Sequence, residues 1–151
     1  MPLIDLTMPA GTLDAERRGA LVQRLGETLL RWEGAPDTDF FKSIMWVHVH
    51  ELGGEAINAA GVPVSEPHFR LDVTVPEGAL SDRRKEGAVS ELTQAVLEAA
   101  GLDDSAAIRV WVLIHEVPDG NWGGAGQVVR FAQLREMAQR EREQDAVPAG
   151  D

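Results

Sequence analysis

The sequence predicts an α+β fold: two consecutive β-α-β units whose strands form one four-stranded sheet with two helices on one face. Three observations carry this. The segment Phe69–Gly78 lays onto Pro2–Gly11 at a constant offset of 67 residues, Asp5 meeting Asp72, Thr7 meeting Thr74, Pro9 meeting Pro76 and Gly11 meeting Gly78. The register runs on without a gap into a helical pattern, where Leu13, Arg17, Val22, Leu25 and Leu30 meet Leu80, Arg84, Val89, Leu92 and Leu97. After each helix comes an alternating strand ending in His-Glu, His50-Glu51 and His115-Glu116, with Trp46 and Trp111 in matching places. Self-similarity at a fixed offset is the mark of a duplicated structural unit.

The elements follow in order. Leu3-Ile4-Asp5-Leu6-Thr7-Met8 alternates apolar and polar residues and reads as a strand. Gly11 to Asp14 is a turn with cap residues, and a helix is expected from Leu13 or Asp14 to Trp32, with Leu21, Leu25, Leu29 and Trp32 on one face. Gly34 and Pro36 end it. A second strand is expected at about Ser43–Leu52, followed by a connection over 53–67 long enough for an excursion of its own. The second unit repeats this with a strand from Phe69, a helix at about Ser81–Ala100 stopped by Gly101, and a strand at about Ala107–Val117. Glycines at 120, 123, 124 and 126 mark tight turns or a short hairpin, with a short strand near Val128–Phe131. Gln133–Gln144 reads as a polar helix and Ala146–Asp151 as a disordered tail. The boundaries are then repeat 1 at about 2–52, connection 53–67, repeat 2 at about 68–130, and a C-terminal helix and tail over 131–151, all in one domain.

A βαβ crossover makes its two strands parallel and lays the helix on one face. Val47, Val49, Val110, Val112 and Ile114 suit the helix side. The other face carries Trp46, His48 and His50 in one half and Arg109, Trp111, Leu113 and His115 in the other. Two helices cannot cover it, and a half-apolar face with tryptophans predicts subunit assembly.

Composition narrows the partners. A formal net charge of −11 argues against nucleic acid and anionic membranes. Without cysteine there are no disulfides, no thiol chemistry and no cysteine metal ligands. No apolar run reaches membrane-spanning length, and the start lacks the basic cluster and apolar run of a signal peptide. A cytoplasmic protein without cofactor is expected. His48 and His50 stand two apart on one strand face, but no third metal ligand lies at an obvious spacing, so no metal is expected. His115 and Glu116 read as structural.

Pro2 is the residue with chemistry to offer. Methionine before a small residue is usually trimmed, which leaves Pro2 as a free secondary amine at the head of a strand. An N-terminal amine titrates close enough to neutrality to serve as a proton acceptor. If Met1 stays, Pro2 is an amide and no base. A strand-leading proline also needs no function, since its missing N–H is needed nowhere.

Pro2 at the head of a strand, the tandem repeat, and Ile114-His115-Glu116-Val117-Pro118 followed by Gly120-Asn121-Trp122-Gly123-Gly124-Ala125-Gly126 together resemble the tautomerase superfamily, in particular 4-oxalocrotonate tautomerase-like chains with two fused units. The likeness covers about residues 2–130. It implies the tautomerase-type fold, assembly as a homotrimer, and Pro2 as the general base of keto–enol tautomerisation. Phe69 stands at the equivalent place in the second unit, so one catalytic amine per chain is implied. Trp122 matches the aromatic that walls the family's pocket. The family's arginines do not map: their places hold Thr12 and Ala79, and Trp46 and Trp111. Arg70, Arg109 and Asn121 are the candidate replacements, and Trp46, Trp111 and Trp122 the candidate walls. The substrate expected is a small carbonyl or enol compound, more apolar or aromatic than a diacid. Two other readings stand beside it: a hydratase, dehalogenase or decarboxylase using protonated Pro2, or a non-catalytic scaffold of the same fold.

Overall fold

The computed structural model describes residues 2–145. The first unit is β1 (Leu3–Pro9), α1 (Ala15–Glu33), a short helix α2 (Asp39–Ser43) and β2 (Trp46–Leu52). The connection holds a two-stranded excursion, β3 (Asn58–Ala59) and β4 (Val62–Pro63). The second unit is β5 (Phe69–Pro76), α3 (Asp82–Ala100), a 3-10 turn (Asp104–Arg109) and β6 (Val110–Val117). A hairpin, β7 (Trp122–Gly124) and β8 (Gln127–Val129), leads to α4 (Phe131–Asp145). The expected tail, Ala146–Asp151, lies outside the described residues, as does Met1.

The expected sheet is present, with strand order β2-β1-β5-β6. β1 and β2 are parallel, as are β5 and β6, while β1 and β5 run antiparallel. The duplication is exact in α1 and α3: each has 19 residues and ends on a left-handed glycine, Gly34 (φ 72°) or Gly101 (φ 66°). Such a backbone costs glycine nothing. The pairings repeat too. Leu3 lies opposite Trp46 as Arg70 lies opposite Trp111. Arg18 of α1 donates to Glu51 at 2.9 Å, and its counterpart Lys85 of α3 donates to Glu116 at 2.8 Å. These half-exposed pairs set the helix on its strand more than they stabilise it.

Ile4, Leu6 and Met8 of β1 and Leu71, Val73 and Val75 of β5 point to the helix side and are fully buried. They meet Leu25 and Leu29 of α1 and Leu92 and Val96 of α3. Ion pairs Arg24–Glu98 and Arg31–Glu91 join α1 to α3 in antiparallel order. The opposite face is bare, as parity requires: Trp46 is 61% exposed and Trp111 64%.

Several boundaries differ from expectation, among them the short strand, which is Gln127–Val129. β2 starts at Trp46, not Ser43, because Thr38 caps a helical turn through its hydroxyl and residues up to Ser43 wind into α2. β6 starts at Val110, not Ala107, because Asp103 accepts from the Ser105 N–H and closes the 3-10 turn. Arg109 therefore ends that turn instead of sharing a strand face with Trp111. The polar helix starts two residues earlier than expected, with the Phe131 N–H donating to Asp119 at 2.9 Å. Among the described residues no helix is long and apolar enough to cross a membrane.

At Gly87 of α3 a Cβ would lie 2.1 Å from the Trp32 ring of α1. Alanine normally stabilises a helix interior over glycine by about 1 kcal/mol. Here Gly87→Ala is expected to destabilise by about 1–3 kcal/mol through overpacking. Urea unfolding measures it, and adding Trp32→Leu should recover part of the loss.

Candidate active site

Pro2 is buried at the head of β1 and its carbonyl accepts from the Trp46 N–H at 3.2 Å. β1 meets β5 with Leu3 opposite Thr74, so the same register sets Pro2 opposite Val75, beside Pro76. Pro76 lines a cleft of about 590 Å³ closed by the C-terminal end of α1, Phe41 of α2 and one face of α4. Its apolar wall includes Phe41, Phe131 and Leu134, and its charges are Glu33, Arg84, Arg135, Glu136 and Arg142.

Two of those arginines serve the helix end. Arg84 donates to the Glu33 carbonyl at 3.2 Å, and Arg142 donates to the Gly34 carbonyl. Cations are stabilised at a helix C-terminus, where unpaired carbonyls concentrate. Arg135 makes no ion pair among the described residues. The cleft thus offers one free guanidinium facing the same space as Phe131. Burial pushes the Glu33 carboxyl up to about 7.

The other residues singled out in the sequence do not converge within one chain. Trp46 adjoins Pro2 but projects from the bare face of edge strand β2, its indole N–H donating to the Ser43 carbonyl at 3.3 Å. Trp111 repeats that arrangement on the opposite edge, donating to the Ile108 carbonyl at 3.2 Å. Arg109 is held by Glu66 at 2.7 Å. Arg70 donates to Asp72 at 2.6 Å. Asn121 is exposed in the turn before β7, its N–H donating to the Pro118 carbonyl. Trp122 is half-buried on the hairpin opposite Val129. Glu116, expected to be structural, accepts from Lys85 and from the Gly78 N–H at 3.3 Å.

Sequence reasoning missed Glu33, Arg84, Arg135 and Arg142. Arg84 sat in the repeat alignment as the partner of Arg17, and nothing in that pairing pointed to a cleft. Arg135 and Arg142 lie seven residues apart on α4, two helical turns and hence one face, a spacing that was legible but unused.

The sequence model of the family described as Tautomerase enzyme matches residues 70–132. A 2-hydroxymuconate tautomerase from Comamonas testosteroni is 46% identical over 46 residues, 30% of this chain and 68% of that protein. Among solved structures the fold is similar to that of Pt0534 inactivated by 2-oxo-3-pentynoate, with TM-score 0.73 and 24% identity over 87% of this chain and 98% of that one. It is similar to the wild-type F6 fused 4-OT, an asymmetric trimer, with TM-score 0.71 and 19% identity over 89% and 98% of the two chains. It is also similar to N1, a member of the cis-3-chloroacrylic acid dehalogenase family, with TM-score 0.73 and 22% identity over 97% and 92%.

Glu33 makes stability depend on pH. Its folded value near 7 exceeds its ordinary 4.5, so native Glu33 is penalised progressively as pH rises from about 4.5 to 7. Glu33→Gln should match the parent in urea unfolding at pH 4 and exceed it at pH 8, by at most about 3 kcal/mol.

Proposed function

The chain belongs to the tautomerase family, and from that premise we propose that it is an isomerase using Pro2, freed by removal of Met1, as general base on a small carbonyl or enol compound. The observation that carries this reading is the cleft lined by Pro76, next to Val75, which the β1–β5 register sets opposite Pro2; that cleft holds a free guanidinium and an apolar wall. The Pro2 nitrogen takes the proton from the enol oxygen or the acidic carbon, and returns it at the other end of the conjugated unit. Arg135 holds the substrate's carboxylate or enolate oxygen, in place of the family arginines whose positions hold Thr12, Ala79, Trp46 and Trp111. Phe41, Phe131 and Leu134 receive its apolar part. This keeps the apolar preference expected from the sequence, with a different set of side chains supplying it in the single chain.

The assembly we propose is a homotrimer, supported by the bare sheet face, the two edge strands β2 and β6, and a trimeric structural neighbour. In it, Trp46, Trp111 and the hairpin's Trp122 meet residues of neighbouring subunits, which is where they wall a pocket. Arg70, Arg109 and Asn121 then act as oxyanion partners only by exchanging their present ones.

A second reading is favoured by one observation. The structural neighbour N1 is a member of the cis-3-chloroacrylic acid dehalogenase family, and a protonated Pro2 suits a hydratase, dehalogenase or decarboxylase. The pH dependence separates the two. Activity that rises with pH to a plateau requires neutral Pro2; activity that falls as pH rises requires its protonated form.

Intact mass is measured before and after incubation with 3-bromopyruvate or 2-oxo-3-pentynoate. A starting mass lacking methionine and one adduct per chain, lost in Pro2→Ala, is expected. Retained methionine with no adduct overturns the enzyme reading and leaves a scaffold. Once a substrate is found, Pro2→Ala should lower kcat/KM by about 10²–10⁴-fold. Arg135→Ala should lower it by about 10²–10³-fold, and Arg109→Ala should not.

A further inference from the structure

The bare face of the sheet carries a cluster that the base chemistry does not use. His48 and His50 alternate along β2 and so project from the same face. Asp5 of β1 is the pairing partner of His48. Its Oδ1 lies 3.3 Å from His48 Nδ1 and 2.7 Å from His50 Nε2. All three donor atoms lie within 4.8 Å of one another. The third ligand that strand spacing alone lacked thus arrives from the neighbouring strand.

We propose that Asp5, His48 and His50 form a binding site for a divalent first-row transition ion such as Zn²⁺ or Co²⁺. Ligands about 2.0–2.2 Å from a tetrahedral Zn²⁺ stand about 3.3–3.5 Å from each other. The Asp5–His48 spacing already fits, and the Asp5–His50 pair opens by less than an ångström. Two imidazoles and one carboxylate suit zinc, cobalt, nickel or copper, and suit the all-oxygen preference of Mg²⁺ or Ca²⁺ poorly. In the single chain the remaining position opens on a shallow depression lined by Asp5, Thr7, His50, Leu52, Arg70 and Asp72.

The duplicated half supplies an internal control. Asp72 is the counterpart of Asp5, and His115 that of His50; they meet at 2.8 Å as Asp5 and His50 do. Leu113 stands where the first half has His48, and Arg70 where it has Leu3. Burial works to raise the Asp72 carboxyl, but the hydrogen bonds from His115 and Arg70 outweigh it and hold it below its ordinary value. Asp72 therefore already has a permanent cation. Among the described residues Asp5 has two imidazoles and no lysine or arginine partner, and it faces Asp72 across the β1–β5 pairing. Among the described residues Arg70 is the one lysine or arginine lining the depression, and its Nε is committed to Asp72.

The test is Co²⁺ titration of tag-free, metal-stripped protein in its native assembly, read by the visible absorption of bound Co²⁺, with Zn²⁺ calorimetry alongside. One ion per chain is expected. His48→Leu, which installs the second half's residue, and Asp5→Asn should each weaken binding by more than the roughly 10–100-fold typical of losing a group that only orients a ligand. His115→Leu should leave binding unchanged. No Co²⁺ spectrum, or binding that survives both His48→Leu and Asp5→Asn, or falls equally in His115→Leu, overturns the site. Because Pro2 is no ligand, Pro2→Ala should bind the ion like the parent, whatever becomes of the proposed isomerase.

Discussion

The pairing of β1 with β5 is the constraint on which the rest depends. Each β-α-β unit alone would expose an edge of its first strand and half of an apolar face. Joining the two first strands antiparallel closes both edges and brings Ile4, Leu6, Met8, Leu71, Val73 and Val75 under α1 and α3 together. It also fixes a pseudo-two-fold relation, so each feature of one half appears inverted in the other. The repeated Arg18–Glu51 and Lys85–Glu116 ties, and the repeated Trp46 and Trp111 indole bonds, follow from it.

The same pairing sets Asp5 directly opposite Asp72, and like charges opposed across a pair of strands are destabilising. The two halves answer that repulsion differently. The second brings Arg70 and His115 to Asp72. The first brings His48 and His50 to Asp5. Divergence after duplication is thus concentrated on the bare face, while the helix-side face keeps its apolar pattern in both halves. Pro2 and Phe69 diverge too, so only the first half carries a proline at that place.

The cleft forms where three elements from distant parts of the chain meet: the end of α1, the end of β5 and the face of α4. Arg84 and Arg142 hold the carbonyl end of α1 in place, and Arg135 is left uncommitted. Burial raises the Glu33 carboxyl to about 7, so its charge near neutrality is set by geometry, not by residue type.

Much of the fold was legible because strand and helix periodicities are local and the duplication states them twice. The alternation of β1 and β5, the glycine stops at Gly34 and Gly101, and the bare face with Trp46 and His48 are all read from residue order. α2 and the 3-10 turn were not, because a single cap such as Thr38 or Asp103 decides them against a background that also suits a strand. The candidate site was legible only at Pro2. Arg135 and Arg142 come to it through the path of α4 after the hairpin, and Asp5 comes to His48 through strand register. The sequence by itself determined the two units, the face each strand buries and the family likeness, since these depend on neighbours within a few residues. Only the tertiary structure decided the antiparallel seam, the arginines of the cleft and the third ligand beside the two histidines, because those contacts join residues from 43 to 108 positions apart, as the Asp5–His48 and Arg142–Gly34 contacts do.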